Sequence, residues 1–298
     1  MKRKICLLLT IAGVLTALSG CGSQPEEERE ERPWPETVVM SNLADEEARG
    51  IAEQLLSGIA GEEQIQVFFD HVDQINGYLE PEELTDGFEE VSITQPKYDP
   101  YQVQERWDTE NLEFPGYNCR ITAFSLFRDQ MIFPQESVPG SPDYVMMDLI
   151  SLDADPSAIP DEAGRTQFET LYTGVDTENT KDISVHLAKL QEAWQERGIS
   201  FKEGSASLIS VVFHDQIDED RLFVGHTGIL FETEEGELFF LEKLAFQEPY
   251  QLVKVADRGA LSDYLMAKYD VEFNQPTAAP FVMENAELIE GYRDRGTN

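Results

Sequence analysis

The chain has 298 residues, with 22 Lys and Arg against 58 Asp and Glu, for a formal charge of −36. That balance excludes a nucleic-acid partner, since binding one requires basic side chains to neutralise phosphates, and it opposes lying flat on an anionic membrane. With 41% hydrophobic and 10% aromatic residues, the chain can still bury a sizeable core.

Lys2, Arg3 and Lys4 precede an almost wholly apolar run over residues 5–18, closed by Ser19 and Gly20. A basic start, an apolar stretch and small residues predict a secretory signal over residues 1–20. The run is shorter than the roughly 20 apolar residues of a membrane-spanning helix. Leu18-Ser19-Gly20-Cys21 resembles the lipobox of bacterial lipoproteins, in which the cysteine is acylated and becomes the new N-terminus. The resemblance implies a lipid on Cys21 and a protein held at the extracytoplasmic face of the cell membrane. An ordinary signal peptide with an incidental cysteine is the alternative. Residues 21–38, rich in Glu, Pro and Gln, are expected to form a disordered acidic tether. Residues 39–298 are read as one domain.

Within that domain Ser41 is a plausible N-cap. Ile51, Leu55, Leu56 and Ile59 follow at helical spacing, and Ile65, Phe68, Phe69, Val72 and Ile75 mark a second amphipathic helix bordered by His71. An insertion is expected around residues 130–205. It is rich in Pro, Asp and Ser over 130–180, contains a strand-like piece at 144–150, and ends with a helix over 182–196 whose stripe His186 borders. Both histidines are expected to be packed or surface residues. Strands are predicted at 207–213, 222–231, 237–243 and 250–255, with a helix at 259–268. The sequence contains no nucleotide-binding glycine pattern, HExxH, EF-hand loop or GxSxG elbow. The four histidines have no metal-ligand spacing, and the acidic loop at 215–220 lacks a calcium-binding arrangement.

Cys6 falls in the signal and Cys21 at the anchor, which leaves Cys119 without an internal disulfide partner. It is either a nucleophile or a small buried apolar residue. Gly116 breaks the chain before it and Asn118 is a favoured N-cap, so Cys119 takes the first helical position, ahead of Ile121, Phe124 and Phe127. The positive end of the helix and the neighbouring Arg120 would favour the thiolate. Backbone N–H groups of the same turn could hold an oxyanion. The candidate base is His226, in Gly225-His226-Thr227-Gly228-Ile229-Leu230-Phe231. A three-residue hairpin loop at Glu234-Glu235-Gly236 would place Gly228 opposite Glu242, making His226 and Glu242 diagonal neighbours on one face. A one-residue slip would separate them. Glu242 closes the apolar run Leu238-Phe239-Phe240-Leu241. It either orients an imidazole or lies on a half-exposed strand. His214, followed by Asp215, is the rival base, with no later carboxylate placed to orient it.

This order of parts resembles the papain-like NlpC/P60 superfamily, where Asp-Cys-Ser-Gly opens a helix and His-Val-Gly-Ile-Tyr begins a hairpin ending in a third polar residue. Here Asn118 and Arg120-Ile121 flank the cysteine, and Glu242 takes the third place. The resemblance implies an α+β fold, with an antiparallel sheet packed on a cysteine-bearing helix and added helices. It makes Cys119 the nucleophile, His226 the general base and Glu242 the orienting group. The implied activity is a cysteine hydrolase or acyltransferase acting on an amide bond, with cell-wall peptide as the default substrate and no cofactor. The chain also resembles an uncharacterised family of Gram-positive lipoproteins, domain of unknown function 4300. Tyr117-Asn118-Cys119-Arg120-Ile121-Thr122, Gly225-His226-Thr227-Gly228, residues 242–251 and Asp263-Tyr264-Leu265-Met266 carry that resemblance. A non-catalytic binding or assembly lipoprotein on the same fold is the competing expectation.

Overall fold

The computed structural model describes residues 32–135, 137, 141–271 and 276–296. The expected signal, Cys21 and the tether up to residue 31 lie outside them. Two units are distinguished, Met1–Pro33 and Trp34–Asn298, and the described residues fall almost wholly in the second.

That second unit is a mixed α+β fold. Its strands are β1 (Thr37–Ser41), β2 (Glu89–Ser92), β3 (Met131–Ile132), β4 (Val175–Asp176), β5 (Ser200–Phe201), β6 (Ala206–Asp215), β7 (Arg221–Glu232), β8 (Leu238–Lys243), β9 (Tyr250–Val255), β10 (Phe281–Glu284) and β11 (Glu287–Leu288). Its helices are α1 (Glu46–Leu56), α2 (Glu62–Asn76), α3 (Pro100–Glu110), α4 (Cys119–Phe127), α5 (Met146–Ala154), α6 (Glu162–Tyr172), α7 (Ile183–Glu196) and α8 (Arg258–Tyr269). Among the described residues nine strands form one sheet in the order β11-β10-β6-β7-β8-β9-β1-β2, with β4 also beside β7; β3 and β5 pair separately. The pairings of the central strands β6 to β9 are all antiparallel.

The central strands are near-continuous apolar runs because both faces of the sheet are covered. Ile229, Phe231, Phe239, Leu241 and Leu252 point into one apolar layer, where α4 contributes Ile121, Phe124 and Phe127. Ile209, Leu230, Phe240 and Val253 point into the other, filled by Leu261, Tyr264 and Leu265 of α8. The β7–β8 turn forms as expected. Thr233 N–H donates to the Glu237 carbonyl at 2.9 Å, Gly236 adopts φ +83, and Gly228 lies opposite Glu242.

Several expectations are corrected. Ser41 does not cap the first helix: it ends β1, whose β-branched run fits between β9 and β2. Asp45 is the cap, accepting from Ala48 N–H at 2.8 Å. The strand-like piece at 144–150 belongs to helix α5, with Val145 just before it. Val145, Asp148, Ser151 and Leu152 are buried while Met146, Met147 and Ile150 are exposed, which is a helical spacing and not an alternation. The segment at 130–205 contributes to the core, since Leu152, Phe168, Leu171, Leu190 and Trp194 share the apolar layer of α4. Helix α3 went unanticipated, although Asp99 accepting from Tyr101 N–H, with Pro100 in the first turn, is a readable start. The ordered unit also begins earlier than residue 39: Trp34 packs under the guanidinium of Arg293, 4.0 Å from its ring centroid.

Gly228 fixes the spacing of the two strands that carry His226 and Glu242. A Cβ there would stand 2.5 Å from the Leu241 carbonyl oxygen and from the Phe240 ring. Gly228→Ala is expected to lower stability by about 1–3 kcal/mol in urea unfolding. A loss under about 0.5 kcal/mol would show that the strands part without strain.

Candidate active site

Asn118 caps α4 through its side-chain oxygen, which accepts from Ile121 N–H at 3.0 Å, while its carbonyl accepts from Thr122 N–H at 3.1 Å. The N–H groups of Cys119 and Arg120 are then the first-turn donors that neither the cap nor the helix uses. Cys119 is the first helical residue, as its sequence context predicts.

His226 reaches the cysteine through an irregularity in β7. Val211 pairs with His226 but Val212 pairs with Val224, so Gly225 is an extra residue on β7. This bulge inverts the alternation of side chains along the strand. Val224 faces the α4 layer, whereas His226 stacks on Tyr269, the last residue of α8, with ring centroids 4.8 Å apart. Pairing with β8 stops at Gly228 and Glu242, so His226 extends beyond its neighbouring strand and stays reachable from the start of α4. The Cys119 sulfur lies 4.0 Å from the Gly225 carbonyl oxygen.

Glu242 is 1% exposed. Its Oε2 lies 2.6 Å from His226 Nε2, and its Oε1 accepts from the Tyr264 hydroxyl. An ionised carboxylate only accepts, so Nε2 carries a proton. That leaves Nδ1 as the ring nitrogen through which His226 can act on the Cys119 thiol by hydrogen bonding and charge. Side chains from α4, β7 and β8 converge in one line: sulfur, imidazole, carboxylate.

Burial is the largest influence on each member, and in each it is outweighed. It raises the Cys119 thiol, but hydrogen bonding and charge from His226, then charge from Arg120, bring the pKa below that of an ordinary cysteine; Asp148 works against this. It lowers the His226 imidazole, yet hydrogen bonds and charge from Cys119 and Glu242 raise that group to about 9. It raises Glu242, but His226, the charge of Lys268 and the Tyr264 hydrogen bond hold the carboxyl below its usual range. All three shifts run in the direction that favours a thiolate–imidazolium pair backed by a carboxylate.

The family model described as Domain of unknown function (DUF4300) matches residues 39–289. The chain belongs to that family. No curated protein and no solved structure matches it significantly. The matched span contains Cys119, His226 and Glu242, and it leaves Cys21 outside.

The same span contains site residues that the sequence reading missed. Asp148 is fully buried and accepts from Arg120 at both oxygens, 2.9 Å from Nε and 2.6 Å from Nη2, as well as from Asn118 Nδ2 at 2.8 Å. It clamps the residues on either side of the cysteine. Arg120 lowers the thiol as expected, but it is also paired with Asp148, and its Nη1 donates to the Val224 carbonyl at 3.1 Å, tying α4 to β7. A readable sign was present, since Asp148 is an acid inside Met146-Met147-Asp148-Leu149-Ile150. Tyr264 and Tyr269 gave no comparable signal. Lys243, beside Glu242, is also buried. It donates to the Glu248 carbonyl and stands 4.6 Å above the Tyr250 ring. Burial lowers it to about 7 against the charges of Glu248 and Cys119.

The other histidines are held elsewhere. His214 does have an orienting carboxylate, Asp220 at 3.0 Å, contrary to expectation, but its Nδ1 accepts from Ala278 N–H, so both ring nitrogens are occupied away from the thiol. His186 is buried between Thr177 and the Thr180 carbonyl. His71 stacks on Tyr117 and pairs with Asp155. Cys119 is only 5% exposed and His226 1%, so the sulfur and the imidazole are both covered in this conformation.

Ultraviolet titration of the Cys119 thiolate should show ionisation below the ordinary cysteine range, with the ion pair persisting up to about pH 9, where the imidazolium loses its proton. In His226→Ala burial loses its main opponent, so the titration should move upward. The same curve in both proteins would dissolve the pair.

Proposed function

We propose that this chain is a lipid-anchored extracytoplasmic cysteine hydrolase or acyltransferase of papain-like architecture, acting on an amide bond. The observation that supports it is the 2.6 Å contact of His226 Nε2 with Glu242, joined to the hydrogen bonding and charge by which His226 lowers the Cys119 thiol. In the reaction, the thiolate attacks the acyl carbon, and the N–H groups of Cys119 and Arg120 face the developing oxyanion. The His226 imidazolium passes its Nδ1 proton to the departing amine as the C–N bond breaks. Water, deprotonated by His226, then cleaves the thioester; an amine in its place completes acyl transfer. Glu242 holds the ring and offsets its charge.

Cell-wall peptide is the first substrate class to test, because a lipid on Cys21 would hold the domain near it. Several acyl chains on that residue would make a stable anchor, where one alone binds reversibly. Substrate entry needs the cover over Cys119 to move. The connection at 244–249 between β8 and β9 borders the start of α4, with the Phe246 carbonyl against Gly116, and is the segment assigned that motion. The burial of Cys119 favours a second reading, in which the chain binds or assembles a partner and its Cys-His-Glu cluster is structural.

Incubation with wall-peptide fragments followed by intact-mass analysis separates the two. The hydrolase forms an acyl adduct on Cys119 and cleaves an amide, both lost in Cys119→Ala, with cleavage reduced about 10²–10⁴-fold in His226→Ala. No adduct, together with alkylation of Cys119 no faster at mildly acidic pH than that of an ordinary thiol, would favour the binding protein. Anchoring is checked separately by fatty-acid labelling of expressing cells: the label should vanish in Cys21→Ser, and its retention there would rule out this anchor.

A further inference from the structure

A cavity of about 320 Å³ lies on the far side of Glu242 from the thiol, bounded by β1, β2 and the chain after it, the β8–β9 connection, β9 and α8. Its wall includes Gln251, Tyr264 and Lys268, and each of these also adjoins Glu242. Gln251 is its direct cross-strand partner, Tyr264 donates to it, and the charge of Lys268 acts on it.

Two polar groups in this wall lack a close side-chain partner among the described residues. Gln251 is 4% exposed, yet among the described residues its side-chain amide makes no hydrogen bond, and it borders the cavity. Its amide atoms are not sealed from solvent, so the open space they border supplies their partners, either water or a ligand. Lys268 is the second. The other charged side chains of the wall are committed: Glu83 to Arg106, Lys97 to Glu89 at 3.0 Å, and Glu248 to the Tyr98 hydroxyl at 2.7 Å. Lys268 makes only a 3.5 Å contact with the Ile93 carbonyl, and among the described residues no carboxylate lies within ion-pair distance.

A free ammonium calls for an anion, and an unpaired carboxamide calls for a group that both donates and accepts. The volume is at the lower end of the range for small-molecule sites. We propose that this cavity binds a small N-acyl amino acid, its carboxylate on Lys268 and its amide group on Gln251. The site is separate from the thiol and does not depend on Cys119 being catalytic. A ligand there touches Tyr264 and Lys268, two of the groups that hold Glu242, so its presence is transmitted to His226.

Calorimetric titration of the full chain with N-acetylglycine, acetate and N-acetylglycinamide tests this. N-acetylglycine should bind, and the two fragments, each missing one of the required groups, should bind at least tenfold more weakly. Lys268→Met should weaken N-acetylglycine at least tenfold, measured at a temperature where circular dichroism shows the variant folded, and Lys268→Arg should restore most of it. Binding should persist in Cys119→Ala, which distinguishes this site from failure of the hydrolase reading. Equal affinity for the acid and its amide, unchanged affinity in Lys268→Met, loss of binding in Cys119→Ala, or no binding of any probe would each overturn the assignment.

Discussion

Gly225 is one residue more than the pairing of β6 with β7 requires, and the side chains on either side of it answer to different layers of the protein. Before it, Leu222 and Val224 fill the layer around α4. Beyond it, His226 faces Glu242 and α8. Regular alternation would have put His226 on the same face as Val224, among aliphatic side chains and out of reach of its carboxylate. The extra residue must be small, because a Cβ at Gly225 would stand 2.5 Å from the Phe213 ring. The bulge therefore both aims the imidazole and brings a carbonyl oxygen to the cysteine, and the contact chain from sulfur to carboxylate depends on it.

Around that chain the interior holds charge at a density that only mutual pairing makes tolerable. Isolated ions in such surroundings cost several kcal/mol each, and removal of one partner of a buried pair typically costs about 3–5 kcal/mol. Asp148 shows how the arrangement is kept specific. Because it spans Asn118 and Arg120, it neutralises the guanidinium and fixes the first turn of α4 at once. Its negative charge also cancels much of what Arg120 offers the thiol, so the thiolate depends chiefly on His226. With His226 raised to about 9, the thiol keeps its charge partner until the pH approaches that value.

Much of this was legible in the sequence where local rules govern. The cap at Asn118, the helical position of Cys119, the hairpin loop at Gly236 and the opposition of Gly228 and Glu242 follow from turn chemistry and strand periodicity. Glu242 stood out as an acid beside a run of apolar residues, and Asp148 carried the same mark in a segment read as a strand. That misreading has a physical origin: Met146, Met147 and Ile150 are apolar but exposed, so hydrophobicity masked the helical period. What stayed hidden depends on tertiary approach. Nothing in Tyr264 or Tyr269 announces that α8 will cross the sheet at Glu242. The bulge at Gly225 was equally silent, since a glycine before a histidine reads no differently in a regular strand.

The closure of the site and the character of its thiol belong to the same electrostatic argument. Water reaching Cys119 would solvate the imidazolium and thiolate separately and weaken their attraction, so a covered site strengthens the pair that makes the sulfur nucleophilic. The cover has the means to respond to charge, because the connection at 244–249 is pinned at one end by Lys243, whose ammonium donates to the Glu248 carbonyl and is held near neutrality by burial. Deprotonation of Lys243 leaves the amine a weaker donor to that carbonyl and removes a positive charge close to the thiolate. Lys243 thereby ties the connection between β8 and β9 to the charge around the buried cysteine.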